Sequence, residues 1–332
     1  MDNKITKKRL GNFLSYEWIL IIFIVFISIF LFDGFYSIIA VRPTVGQEFK
    51  VYYDENFSGT DPDKLQEMID RNNTLSYDVL KVDYEVLTPA ADVNILNIRL
   101  SVYEGDIIIT DNAPADENAA EPKVRSEYVI DTESLYTLDK LLSDAKTYLG
   151  TFVKDGADKT DLSYANLDKE KIDAAFLTRM KKDNRFRSNE QKEQGKLQER
   201  KRIEKLCVDV AGFEKFLNTA PEEYFYRYTK YTCLKELRKN TDLGESYEKR
   251  YQEEVKNNLS KYGRQDARYG INLGALTKGK TEAQEYFKLN KAENANNTVM
   301  LAFDFLEHQP ELQFECISFM CTVLRECSNI LG

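Results

Sequence analysis

One apolar stretch constrains this chain more than any other: Trp18 to Ala40, reading WILIIFIVFISIFLFDGFYSIIA. Ile19 to Phe32 is interrupted only by Ser28; Asp33 and Gly34 then break the run, and Phe35 to Val41 is apolar again apart from Ser37. A helix needs about 20 apolar residues to cross ~30 Å of hydrocarbon, and this window supplies them. The expected organisation is a basic cytoplasmic tail at 1–13, a transmembrane anchor at 14–41 and an extracytoplasmic domain at 42–332.

Charge sets the orientation. Lys4, Lys7, Lys8 and Arg9 precede the run, whereas its far side opens with Arg42 and Lys50 against Glu48, Asp54 and Glu55. Basic flanks stay on the cytoplasmic side, so the N-terminus is expected inside and the large domain outside, at the cell membrane. The competing reading is a signal peptide cut after Ala40. Ile38 departs from the small-x-small cleavage pattern, and the apolar region is longer than such peptides carry. No cysteine follows closely enough for a lipoprotein anchor. Asp33 leaves two helix registers, Leu14 to Phe32 or Trp18 to Ala40. The first keeps Asp33 out of the hydrocarbon, where a carboxylate costs up to a few kcal/mol; Trp18, Phe32 and Asp33 mark its limits.

The formal charge is −9, and before residue 42 stand four basic and three acidic side chains, so the domain beyond carries about −10. That sign excludes a general nucleic-acid binder, whose affinity comes from neutralising phosphates. Five cysteines (Cys207, Cys233, Cys316, Cys321, Cys327) show no C-x-x-C spacing. With a single histidine, His308, they give no zinc site, and they are expected as buried thiols; whether Cys207 and Cys233 pair is open.

Along the chain, Phe49 to Tyr53 alternates as a strand. Asp61-Pro62 opens a helix burying Leu65, Met68 and Ile69. Tyr77 to Leu87 reads as a half-buried strand with Leu80, Val82, Tyr84 and Val86 on one side. Asp92 can cap a helix through Tyr103, with Ile95, Ile98 and Val102 at helical spacing. Asp106 to Thr110 (DIIIT) is a buried strand. This order predicts an α/β fold, a parallel or mixed sheet with helices on its faces. Asn112 to Lys123 reads as an exposed loop, Glu127 to Ile130 as a short strand, and Leu138 to Leu149 as a helix.

From Leu167 to Tyr262 the composition changes to long charged helices, a helical insertion or second lobe spanning about 165–265. Ile203, Leu206, Val210, Phe213 and Leu217 form one stripe, and Tyr247, Tyr251, Val255 and Leu259 another. Pro221 is expected to open a helix holding Tyr224, Phe225, Tyr226, Tyr228 and Tyr231. Tyr269 to Leu273 and Val299 to Phe305 read as strands, and a helix follows Pro310.

No catalytic constellation emerges. His308 lies in a polar turn with no nucleophile elbow to serve. Glu104, Asp106 and Asp111 cluster around DIIIT without the spacing of a cation loop, and no glycine-rich phosphate loop exists. Arg179 to Lys205 holds eleven basic and five acidic residues. It reads as a solvated helix laced with i,i+4 pairs, or as a surface for anionic headgroups or an acidic wall polymer. No catalytic, cofactor or metal residues are expected.

Arg99-Leu100-Ser101-Val102-Tyr103-Glu104-Gly105-Asp106 running into IIITD, then Tyr269-Gly270-Ile271-Asn272-Leu273, then the helix after Pro310, together resemble membrane-anchored ectodomain proteins of Gram-positive bacteria. These are similar to the solute-binding proteins of ABC transporters. The resemblance covers about half of the ectodomain and implies a periplasmic-binding-like α/β fold. In such proteins a Gly-Asp turn enters a strand lining the cleft between lobes, and the YGI-like segment returns to it. Asp106, Asp111 and Tyr269 would then sit at the crevice, where strand ends meet ligands. The implied function is recognition of a small solute, peptide or surface partner, without catalysis. The alternative is a structural subunit docking through the helical region on a membrane-protein partner.

Overall fold

A computed structural model describes residues 11, 18–20, 22–32, 34, 47–54, 62–87, 95–96, 98–111, 134–227, 267–287, 298–305, 314–328 and 331. Two compact units are formed, Met1–Arg42 and Pro43–Gly332. Asp33, His308, Cys233, the 112–123 loop, the strand expected at Glu127 to Ile130 and the helices expected at 228–262 lie outside the described residues.

In the first unit residues 18–20, 22–32 and 34 are helical. Its described large apolar side chains between Trp18 and Phe32 are 42–82% exposed, so none of these is buried in a core. Among the described residues, no helix is long and apolar enough to cross a membrane.

The second unit is mixed α/β. Six strands, β1 (Glu48–Asp54), β2 (Lys81–Leu87), β3 (Ile107–Asp111), β4 (Phe225–Tyr226), β5 (Gly270–Asn272) and β6 (Thr298–Ala302), form one sheet in the order β2-β1-β3-β6-β5-β4. β1 runs parallel to β2 and β3, and β6 returns antiparallel to β3. The apolar run at β3 has a simple cause: both faces are covered. Ile107 and Ile109 enter the larger core and Ile108 the smaller one on the opposite face.

The larger core is roofed by α1 (Pro62–Arg71), α2 (Leu138–Gly150), α4 (Asn189–Thr219) and α7 (Glu315–Cys327). Leu65, Met68 and Ile69 are the buried face of α1, and Ile203, Leu206, Val210, Phe213 and Leu217 are buried on α4, as their spacing requires. Ser188 and Gln191 start α4 with a reciprocal capping box. α3 (Lys169–Arg179) packs on α4. Gly195 permits that approach, because a Cβ there would collide with Phe176 Cζ and stand 2.8 Å from Phe186 Cδ1. The short helices α5 (Leu273–Leu276) and α6 (Thr281–Tyr286) follow β5.

Three readings are corrected. Residues 95, 96 and 98–101 are helical, but Leu96 and Leu100 face the sheet, while Ile98 and Val102 are 64% and 56% exposed and Ile95 is exposed too. Two apolar stripes share this segment, and the Leu96–Leu100 one is buried. The chain after Pro221 makes one 3-10 turn, Glu222–Tyr224, and then β4, because Phe225 and Tyr226 pair with Ile271 and Gly270. β2 begins at Lys81 and is an edge strand of the sheet, and Leu80 and Val86 remain exposed.

Candidate functional site

Gly105 and Asp106 form the corner that feeds β3. Gly105 has φ +129°, and a Cβ there would lie 2.5 Å from Tyr52 Cε2, so the turn requires glycine. The Asp106 carboxylate accepts the Lys50 N–H at 2.8 Å, and the Asp106 N–H donates to the Lys50 carbonyl at 3.1 Å. This reciprocal clasp ties the start of β3 to β1. Enclosure by protein pushes the Asp106 carboxyl up to about 7, against the pull of the Lys50 N–H and with added repulsion from Glu315. Beside it the buried Lys50 ammonium pairs with Glu104 and, at 3.4 Å, with Asp83, and the Tyr52 hydroxyl donates to the Glu104 carbonyl.

The three residues expected at one crevice are distributed over the sheet. Asp106 precedes β3 and Asp111 ends it, which places them ~17 Å apart at 3.3 Å per residue. Asp111 lies opposite Thr298, at the carboxyl edge of the parallel strands. Tyr269 precedes β5 at the Asp106 end, two strands away. Its ring is buried (4% exposed) in the smaller core with Phe303 and Leu301, and its N–H donates to the Tyr226 carbonyl. Asp106 and Asp111 thus belong to different edges, and Tyr269 is a core residue.

The unit's densest polar chemistry lies elsewhere, where the turn after α1 meets α3 and α4. Arg202 grips Glu199 with two donors, and its Nη2 also donates to the Tyr148 hydroxyl at 2.9 Å. Arg179 donates to Glu199 at 2.9 Å and approaches Asp78 at 3.1 Å; Arg185 donates to Asp78 at 2.6 Å. The Tyr77 hydroxyl donates to Glu199 and accepts from Arg179. Burial alone would raise the Glu199 carboxyl; Arg202, with Arg179 and Tyr77, overrules it and holds it at about 2. Asp209 is a second node. It accepts from Lys205, Ser318 and Arg325 and binds α4 to α7. Sequence shows only the short-range members of these networks, such as Glu199 and Arg202. The Asp78–Arg179 pair, 101 residues apart, has no local signal.

Hollows lined by described residues accompany this frame. One of ≈ 30 Å³ is lined by Thr74, Ser76, Arg202, Lys205, Glu315 and Ser318 among others and has room for a water. One of ≈ 460 Å³ lies between α1 and the start of β2, beside Asp70, Asn73 and Val82. A third, ≈ 690 Å³, opens between the end of α3 and the start of α4.

Cys207, Cys316, Cys321 and Cys327 are free and buried. Burial raises all four thiols, Cys207 to about 11 and Cys327 to about 12, the opposite of what a nucleophilic thiolate needs. Among the described residues, no group of three or more His, Cys, Asp or Glu side chains is placed to hold a metal. No family of known sequences, no curated protein and no solved structure matches this chain.

Proposed function

We propose that this is a single-pass membrane protein that presents residues 43–332 outside the cell as a non-catalytic recognition domain for a small solute, peptide or surface partner. The observation that carries the recognition reading is the meeting of three distant segments, two as strands of one sheet and the third as a helix over it. The Gly105-Asp106 turn leads into β3, the Tyr269-Gly270-Ile271 segment supplies β5, both flank β6, and the last helix, α7, roofs them. These are the segments through which the chain resembles solute-binding proteins. The anchor reading is supported by the sequence from Trp18 to Ala40 and by the exposure of its described helical side chains on every face. A helix that is apolar all round is covered by a core or by lipid.

The test is a thermal-shift screen of the full chain against solute and peptide panels. A ligand at 100 times its Kd stabilises by ~2.7 kcal/mol, a readily seen rise in Tm. A melting point unmoved by every panel member sinks the reading.

A subunit role is the second reading, and the exposed Ile95, Ile98 and Val102 stripe favours it. Ile98→Asp should then leave the fold intact and abolish co-purification of a membrane partner. Co-purification that persists in this variant removes the stripe from the argument.

A further inference from the structure

Nine of the eleven basic residues from Arg179 to Lys205 sort into two groups in three dimensions. Arg179, Arg185, Arg200, Arg202, Lys196 and Lys205 each hold a carboxylate: Glu199, Asp78, Asp173, Glu199, Glu193 and Asp209 respectively. Lys181, Arg187 and Lys192 have no carboxylate partner among the described residues; the Arg187 guanidinium donates to the neutral Asn184 amide oxygen. Among the described residues, these three are the lysine and arginine side chains that line the ≈ 690 Å³ cavity. The rest of its wall is largely apolar: Phe176, Leu177, Met180 and Phe186. Among the described residues its one carboxylate is Asp183, already gripped by Arg185 through Nε and Nη2.

The floor is built rather than incidental. Phe176 and Phe186 meet edge to face with centroids 5.1 Å apart, pressed against Gly195 of α4. The volume lies within the ~300–1,000 Å³ of small-molecule sites, and the pattern of an apolar body with a few convergent polar groups is theirs too. Three unneutralised cations over aromatic and aliphatic side chains select a ligand of matching polarity. In a domain that is otherwise strongly acidic, so local a positive potential also directs an anion to this place.

Resting on the recognition reading, we propose that this cavity binds a small amphiphilic anion, a phosphate or carboxylate head on a short apolar body. The head sits among Lys181, Arg187 and Lys192, and the body lies on Phe176, Met180 and Phe186. Such an anion has two sources, a soluble metabolite or an acidic lipid.

Calorimetric titration of the full chain in neutral phosphatidylcholine nanodiscs tests this. Phenyl phosphate represents the soluble source and dihexanoyl phosphatidylglycerol the lipid source. At least one should bind about tenfold more tightly than both inorganic phosphate and dihexanoyl phosphatidylcholine, and binding should weaken as salt rises. Whichever of the two probes binds more tightly identifies the source. The triple variant Lys181→Gln, Arg187→Gln, Lys192→Gln should lose at least about tenfold in affinity while keeping its Tm, and Lys201→Gln, a cation of α4 outside the cavity, should change nothing. Equal binding by the triple variant, equal binding of the neutral probe, or no binding of either anion overturns the proposal. If solutes or peptides in the thermal-shift panels stabilise the chain while both anions fail, the cavity assignment falls and the recognition reading stands.

Discussion

Arg202 donates to Glu199 through Nε at 3.0 Å and Nη2 at 2.8 Å, and this bidentate pair, one helical turn apart, is buried at both ends. It is the hub through which α4 holds Tyr77, Arg179 and Tyr148, and hence the hub that joins α4 to α3, to α2 and to the turn before β2. A buried pair of this kind is strongly destabilising to break, because the surviving partner stays behind uncompensated.

Glu199→Gln should therefore lower unfolding stability by about 3–5 kcal/mol, since Arg179 and Arg202 would face no carboxylate at that position. Urea unfolding followed by circular dichroism reads the change. The double variant Glu199→Gln, Arg202→Met should cost less than the sum of the two single changes. Strict additivity would show that the two side chains do not act as a unit.

Two carboxylates set opposite pH limits. Glu199 is held at about 2, below its unfolded value, so its contribution is present above pH ~4.3 and disappears as pH falls toward 2. Asp106 is pushed up to about 7, so the folded state binds the extra proton and stability falls as pH rises from about 4 to 7. Glu315, also raised by burial, acts in the Asp106 direction. Asp106→Asn keeps an acceptor for the Lys50 N–H and removes the titration. Its stability should exceed wild type at pH 8 and fall less steeply between pH 5 and 8. Parallel pH profiles for the two proteins would refute this role for Asp106.

Gly195 sits where α3 and its following turn cross α4. Gly195→Ala normally favours a helix by up to about 1 kcal/mol, but here the added methyl meets Phe176 and Phe186. The expected outcome is a net loss of about 1–3 kcal/mol in chemical denaturation, from overpacking. A stabilised variant would mean that the two rings do not pack against α4 as described.

Much of the sheet was legible. The Ile107-Ile108-Ile109 run announced a strand covered on both faces, and the Ile203 to Leu217 spacing announced the buried face of α4. What sequence could not rank was competition between patterns. Ile95, Ile98 and Val102 have helical spacing, and so do Leu96 and Leu100; only the position of the sheet decides which stripe is buried. Phe225 and Tyr226 became β4 because β5 offered them backbone partners 46 and 44 residues away, a non-local contact that overrides the local signal of Pro221. The candidate site was less legible still. Asp106 and Asp111 bracket one strand in sequence, and that same extension carries them apart in space. The free cations of the α3–α4 cavity stand out only once the pairing of their neighbours is known.

The central claim is that residues 43–332 are held outside the cell by the apolar helix that precedes them. Protease treatment of intact spheroplasts expressing the full chain, with antibodies to both ends and a parallel alkaline carbonate wash of their membranes, tests it most directly. The account predicts that the chain resists the wash, that the C-terminal epitope is lost to external protease, and that a protected N-terminal fragment containing Trp18 to Ala40 remains. Release of the chain by carbonate, or a C-terminal epitope that survives until the spheroplasts are lysed, would contradict it.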